Sequence, residues 1–171
     1  VSEDPFTNVM SLGNDTSFCA GNIITLTSGF TTSLTYTWST GSNNASIPID
    51  TLGQYFVAVT NTNSCIANDT INVTILGQAP LANFVSSLGC YNSAVSFTDM
   101  SVPVTPNTIS AYDWDFGDVS SNTSVLANPF HTFSDTGNYS VKLKVITNVG
   151  CEQSVTKTIH IAETPTVNFS T

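Results

Sequence analysis

The chain has no arginine and three lysines against 12 aspartates and glutamates, so its formal net charge is −9 over 171 residues. Nucleic acid binding needs cations on phosphates, and an anionic membrane surface needs the same, so both partners are excluded. The good helix formers Glu, Lys, Gln, Arg and Met are scarce, and polarity comes from Thr, Ser and Asn, which suit strands and turns. An all-β protein is expected. No apolar run approaches the roughly 20 residues that span a bilayer, so direct membrane insertion is not expected. The opening "VSEDPFTNVM" has neither the basic nor the apolar part of a signal peptide, and the sequence reads as a segment of a longer mature chain. Catalytic signatures are missing too: there is no G-x-S-x-G, no H-E-x-x-H, no P-loop, and only two histidines. No catalytic residue is expected.

What is present repeats. "LGQYFVAVTNTNSC" (Leu52 to Cys65) matches "TGNYSVKLKVITNVGC" (Thr136 to Cys151), and each is preceded by an aromatic strand, "LTYTWSTG" or "AYDWDFGD". The order Cys, Trp, Gly-x-Tyr, Cys occurs twice, with a period of about 80 residues. Two β-sandwiches in series with Greek-key connections follow, with the seam in "GQAP". The expected divisions are residues 1–78, of which 1–12 lead in, residues 79–163, and residues 164–171 as the start of a further repeat. That last division rests on "PTVNFST", which shares Pro-x-x-Asn-Phe with "PLANFVSS".

The cysteines occupy like places in the two halves. Of the three connectivities that four cysteines permit, pairing within halves, Cys19 with Cys65 and Cys90 with Cys151, is expected because each domain must close its own core. Disulfides indicate an oxidising, extracellular compartment. A Cys₄ zinc site is disfavoured because no C-x₂-C pair exists to start one.

"YDWDFGD" gathers three acids and three aromatic rings in seven residues. Strand alternation turns Tyr112, Trp114 and Phe116 to the core and Asp113 and Asp115 to the other face. In the first half Tyr36 and Trp38 repeat Y-x-W, but Thr37 and Ser39 replace the acids. Along the later strand Tyr139, Val141, Leu143 and Val145 alternate inward with Ser140, Lys142 and Lys144 outward, and Tyr55 and Tyr139 are placed as tyrosine corners. The acids admit two uses. Asp115 and Asp118 can accept backbone N–H bonds in the turn after the strand. Alternatively, Asp113, Asp115, Asp118 and Asp99 could supply the hard oxygens of a calcium site, the one cofactor the composition leaves open. A glycosidase-type carboxylate pair is the third and weakest use, since no cleft is implied by so small a domain.

Other residues carry bland and sharper readings. His131, within "NPFHTF", is expected to hydrogen-bond across a loop, and His160 to lie on a solvated strand face. Lys157 shares strand parity with Val155 and Ile159; a bulge or a snorkelling end is the ordinary reading, and an isopeptide crosslink to Asn or Asp the rarer one. Thr51 in "DTL" and Thr70 in "DTI" are candidate O-glycosylation acceptors, against a reading as unmodified turn threonines.

"YDWDFGD" followed by "NPFHTFSDTGNYSVKLKVITNVGC" resembles the PKD domain, an immunoglobulin-like β-sandwich, over about residues 80 to 162. One departure is Val119, where members usually carry Gly. The first half resembles, through "SFCAGNIITLTSG" and "YTWSTG", the Ig-like repeats that accompany PKD domains in large surface proteins of Bacteroidetes. These include gliding-motility adhesins exported by type IX secretion. The resemblance implies a non-catalytic stalk or adhesive module in a secreted or cell-surface tandem-repeat protein. Its partners would be neighbouring repeats of the same chain, and surface polysaccharide or another cell-surface protein. The alternative it implies is an accessory region, spacer or substrate-binding, of a secreted polysaccharide- or protein-degrading enzyme.

Overall fold

A computed structural model describes residues 10–30, 34–119 and 122–165. The further repeat expected at 164–171, and most of the lead-in at 1–12, therefore fall outside the described residues. Two compact units meet between Gly77 and Gln78. Every regular element among the described residues is a strand.

In the first unit the strands are β1 (Thr16–Ala20), β2 (Ile24–Thr27), β3 (Thr35–Trp38), β4 (Ser46–Ile49), β5 (Gly53–Thr60) and β6 (Ile66–Gln78). They form a four-stranded sheet in the order β1-β6-β5-β3 and a two-stranded sheet of β2 and β4. Alternation works as the pattern requires: Tyr55, Val57 and Val59 of β5 are buried while Gln54 and Phe56 face out. These side chains meet Leu26, Ile47 and Ile49 of the smaller sheet around Trp38. The indole N–H of Trp38 donates to the Asn44 carbonyl at 2.7 Å, so the largest buried side chain leaves no polar atom unpaired.

The second unit contains β7 (Phe84–Ser86), β8 (Gly89–Cys90), β9 (Val95–Asp99), β10 (Ile109–Asp115), β11 (Thr123–Ser124), β12 (Phe130–His131), β13 (Gly137–Thr147) and β14 (Glu152–Ala162). A five-stranded sheet, β11-β10-β13-β14-β8, faces a three-stranded sheet, β12-β9-β7. Val141, Leu143 and Val145 are completely buried, as the alternation of β13 requires. Aromatic rings fill the space between the sheets, with Phe84 edge-on to Trp114 at 5.0 Å and Phe97 tilted against Phe116 at 5.1 Å. Trp114 repeats the solution of Trp38, donating to the Leu126 carbonyl at 2.9 Å. Both tyrosine corners are present: the Tyr55 hydroxyl donates to the Thr51 carbonyl at 3.0 Å and that of Tyr139 to the Asp135 carbonyl at 2.9 Å.

The cysteine pairing differs from expectation. Cys65 and Cys90 are free thiols, whereas Cys19 and Cys151 are disulfide-bonded, so neither Cys19–Cys65 nor Cys90–Cys151 is formed. Strand direction is the reason. In the first unit β1 neighbours β6, and contacts from Leu12 to Asp69 and from Asp15 to Asn72 keep one offset of 57 residues, so the strands run parallel and Cys19 lies level with Leu76. Cys65 is at the other end of β6, about 36 Å away at 3.3 Å per residue. In the second unit β8 runs parallel to β14 and Cys90 is level with Ala162. Cys151 precedes the opposite end of that strand, about the same distance off. A disulfide needs its Cα atoms within about 7 Å, so the like placement of cysteines in the two halves marks opposite ends of each sandwich and no pairing across its core.

Candidate functional site

The acids of "YDWDFGD" part company at the end of β10. Asp113 and Asp115 stand on the outer face, directly across from Lys144 and Lys142 of β13. Together with Thr123 they line a shallow depression that places two carboxylates and two lysines on one face. The Lys144 Nζ is 4.0 Å from Asp113 and 3.4 Å from Glu152, and all three side chains are substantially exposed, so these pairs are screened and weak. Their effect is to offset the repulsion between neighbouring carboxylates, which cross-strand lysines achieve without a metal.

Asp115 also accepts the Gly117 N–H at 2.9 Å, closing a turn that aims Phe116 inward. Gly117 has φ of +67°, and a Cβ there would lie 2.8 Å from the Ser140 carbonyl oxygen. Glycine is therefore needed both for the backbone conformation and for the close approach of β13. Val119, where PKD domains usually carry Gly, is 96% exposed. The positive-φ residues other than glycine among those described are Ser64 and Asn92, so position 119 does not require glycine.

Asp118 points the other way. Its side chain is wholly buried and receives four hydrogen bonds: the Val119 N–H at 2.7 Å, the Ser134 N–H at 2.9 Å, the Ser134 hydroxyl at 2.5 Å, and Nε2 of His131 at 3.1 Å. Burial alone would push its pKa up. The side chains of Ser134 and His131, and then the Ser134 and Val119 amides, outweigh burial and hold it at about 2. The carboxylate is ionised and accepts all four bonds, so Nε2 of His131 carries the proton. The imidazole is stacked on Phe116 at 4.3 Å and sits edge-on to Phe133 at 4.6 Å. The Asn122 side chain completes the corner by accepting the Asp118 N–H at 2.7 Å.

Asp, His and Ser thus come together, but not in the order that activates a nucleophile. Both the hydroxyl and the imidazole donate to the same carboxylate, and neither donates to the other. Hydrolytic triads need the hydroxyl on the imidazole. The cluster is a clasp, buried at Asp118 and His131, that joins the turn after β10 to the segment from β12 to Ser134. The expected hydrogen bond of His131 across a loop is found here. The partnership with Ser134 was not expected, because nothing local in "HTFSD" marks that serine.

The four acids proposed for calcium are not brought together. Asp118 is consumed in the clasp, Asp113 and Asp115 face Lys144 and Lys142, and Asp99 accepts the Ser101 N–H at 2.9 Å and raises the pKa of Tyr112, whose burial is the larger cause. Among the described residues no group of three or more His, Cys, Asp or Glu side chains is poised for a metal ion.

Of the remaining residues, Lys157 extends to Asn83 Oδ1 at 2.8 Å and the Phe84 carbonyl at 2.5 Å, with its ammonium 5.1 Å from the Phe84 ring. Asn83 is exposed, and among the described residues no carboxylate forms an ion pair with Lys157, so the contact is that of a snorkelling lysine. His160 is exposed and meets Asn138 at 3.0 Å. The Thr51 hydroxyl is engaged with the Tyr55 hydroxyl at 2.8 Å, which ties this acceptor candidate to the tyrosine corner. Thr70, the other candidate, is exposed in β6 opposite Phe56.

Comparison with known proteins places the second unit. The PKD1 domain of Vibrio anguillarum Epp is 28% identical, covering 51% of this chain and 98% of its own, with a TM-score of 0.46. The PKD1 domain of the Vibrio cholerae metalloprotease PrtV is 30% identical over 49% of this chain and 98% of its own, at 0.44. A structure of carbohydrate-binding modules of the β-sandwich superfamily is 35% identical over 50% of this chain and 35% of its own, at 0.46. No curated protein matches the chain significantly. The PKD domain family matches residues 77–162, which contain the Trp114-to-Asp118 turn, the His131 clasp and the Tyr139 corner, and the chain belongs to that family.

Proposed function

We propose that the chain is a non-catalytic stalk or adhesive segment of a larger secreted or cell-surface protein. The observation that carries this reading is the saturation of the Asp118 clasp: the acid and the imidazole are buried, and the imidazole and the Ser134 hydroxyl are both committed to the Asp118 carboxylate. They spend their bonding capacity on holding a loop. Oxidation of Cys19 and Cys151 supports an extracellular location. Contact with a partner would use the outer face of β12-β9-β7, where Phe130 (73% exposed) and Val85 (51%) present apolar surface beside Ser96 and Thr98. An exposed aromatic ring flanked by hydroxyls suits the apolar face of a sugar. Surface polysaccharide is the partner class proposed, with gliding motility and type IX export as the context that the resemblance to Ig-like repeats of Bacteroidetes surface proteins implies. The alternative role, an accessory region of a secreted degradative enzyme, would use the same face on its substrate.

Binding of the 171-residue chain to bacterial surface polysaccharides and to plant and algal glycans, with Phe130→Ala as the control, tests the reading. Retention that Phe130→Ala weakens at least tenfold, with unchanged thermal stability, is expected. Hydrolysis of any glycan or peptide by this chain would refute the non-catalytic assignment.

A further inference from the structure

The four cysteines fall into two structural classes, defined by their turns. Cys19 and Cys90 each open a tight turn whose third residue is left-handed: the Asn22 N–H donates to the Cys19 carbonyl at 3.1 Å with Gly21 at φ +87°, and the Ser93 N–H donates to the Cys90 carbonyl at 3.1 Å with Asn92 at φ +59°. Cys65 and Cys151 each close the hairpin loop before the last strand. The Cys65 N–H donates to Oδ1 of Asn61 at 2.9 Å and that of Cys151 to Oγ1 of Thr147 at 3.0 Å. Each cysteine carbonyl in turn accepts the N–H of the same residue, Asn61 or Thr147. Ser64 and Gly150, just before them, are both left-handed.

The two classes sit at opposite ends of a sandwich, about 36 Å apart along its last strand, so a cysteine of either class needs a partner from outside its own sandwich. One member of each class is oxidised, Cys19 in the first and Cys151 in the second. The other members, Cys90 (half-buried) and Cys65 (exposed), are thiols held in the same backbone setting. Both settings are thus compatible with a disulfide, and both remaining thiols are accessible.

We infer that Cys65 and Cys90 are complementary coupling sites, each taking the opposite-class cysteine of another sandwich of this build, so that copies join head to tail through disulfides. In a head-to-tail contact one sandwich offers its turn-opening cysteine and the next its hairpin cysteine, and repetition of that contact propagates a chain. Each coupling forms one S–S bond from two thiols, releasing two protons and two electrons to a disulfide oxidant, which is itself reduced to two thiols. The coupling is independent of what the outer sheet face binds.

The test uses the chain itself with oxidised glutathione as the oxidant. Cys65→Ser leaves only the Cys90 thiol, and Cys90→Ser leaves only the Cys65 thiol. An equimolar mixture of the two variants should form a dimer, stopping there, at least fivefold faster than either variant alone, and peptide mapping should recover a Cys65–Cys90 link. The unaltered chain should form a ladder beyond the dimer on non-reducing gels. Dimerisation of each variant alone at the rate of the mixture would show indiscriminate thiol oxidation and overturn the inference. So would a mixture that stays monomeric while both thiols still react with a maleimide.

Discussion

Replacing Asp118 with Ala removes the acceptor of four hydrogen bonds and leaves the Ser134 and Val119 amides and the His131 imidazole facing a void. Each bond to a charged group contributes about 1.5–3 kcal/mol, but four such values cannot be added, since they share one carboxylate and water can enter the gap. Leaving a hydrogen-bonding group without its partner costs about 1–3 kcal/mol, and several donors lose theirs here at once, so about 3–5 kcal/mol is the expected loss for the second unit. For a domain of this size it corresponds to a fall in Tm of roughly 12–40 °C at 4–8 °C per kcal/mol. Urea-dependent hydrogen exchange, followed by mass spectrometry on peptides from residues 78–162, isolates this unit from the first. A loss below about 1 kcal/mol would mean that the clasp is solvated in solution and would refute the reasoning.

The same carboxylate sets acid sensitivity. Its folded pKa of about 2 lies below the ordinary 3.8, so the unfolded state binds more protons between those values; the contribution is complete above about pH 5 and is lost as pH falls toward 2. Urea titrations of the unaltered chain and of Asp118→Asn should converge across that window, and parallel curves would assign the acid transition elsewhere. Gly117→Ala should destabilise the second unit by about 2–4 kcal/mol, combining a left-handed backbone with the clash at Ser140, as read by thermal unfolding; a change under 1 kcal/mol would show that the turn can rearrange. Tyr139→Phe should cost about 0.5–1.5 kcal/mol by deleting the corner hydrogen bond, measured by urea unfolding, and no loss would mean that packing alone fixes the corner. Millimolar calcium, or its chelation, should leave the Tm of the chain within about 1 °C; a larger rise with calcium would show that the acids regroup around the ion.

Several features of this protein were determined by the sequence alone, because they depend on period and local chemistry. A period of two along residues 112–116 and 139–145 separates core from solvent whatever the strands pair with, so Trp114 and Phe116 are inside and Asp113 and Asp115 outside. Gly-x-Tyr placed both tyrosine corners, since the hydroxyl bonds a carbonyl only four residues upstream. The tertiary structure decided what depends on strand direction and on contacts across the fold. Alternation carries no information about whether a neighbouring strand is parallel, and it was the parallel pairing of β8 with β14, and of β1 with β6, that put the expected cysteine partners at opposite ends of each sandwich. Nor could spacing separate Asp118 from the acids before it. The chain leaves the strand after Asp115, and the direction it takes through Gly117 carries Asp118 under His131 and Ser134, where burial and four donors turn a possible ligand into a structural clasp.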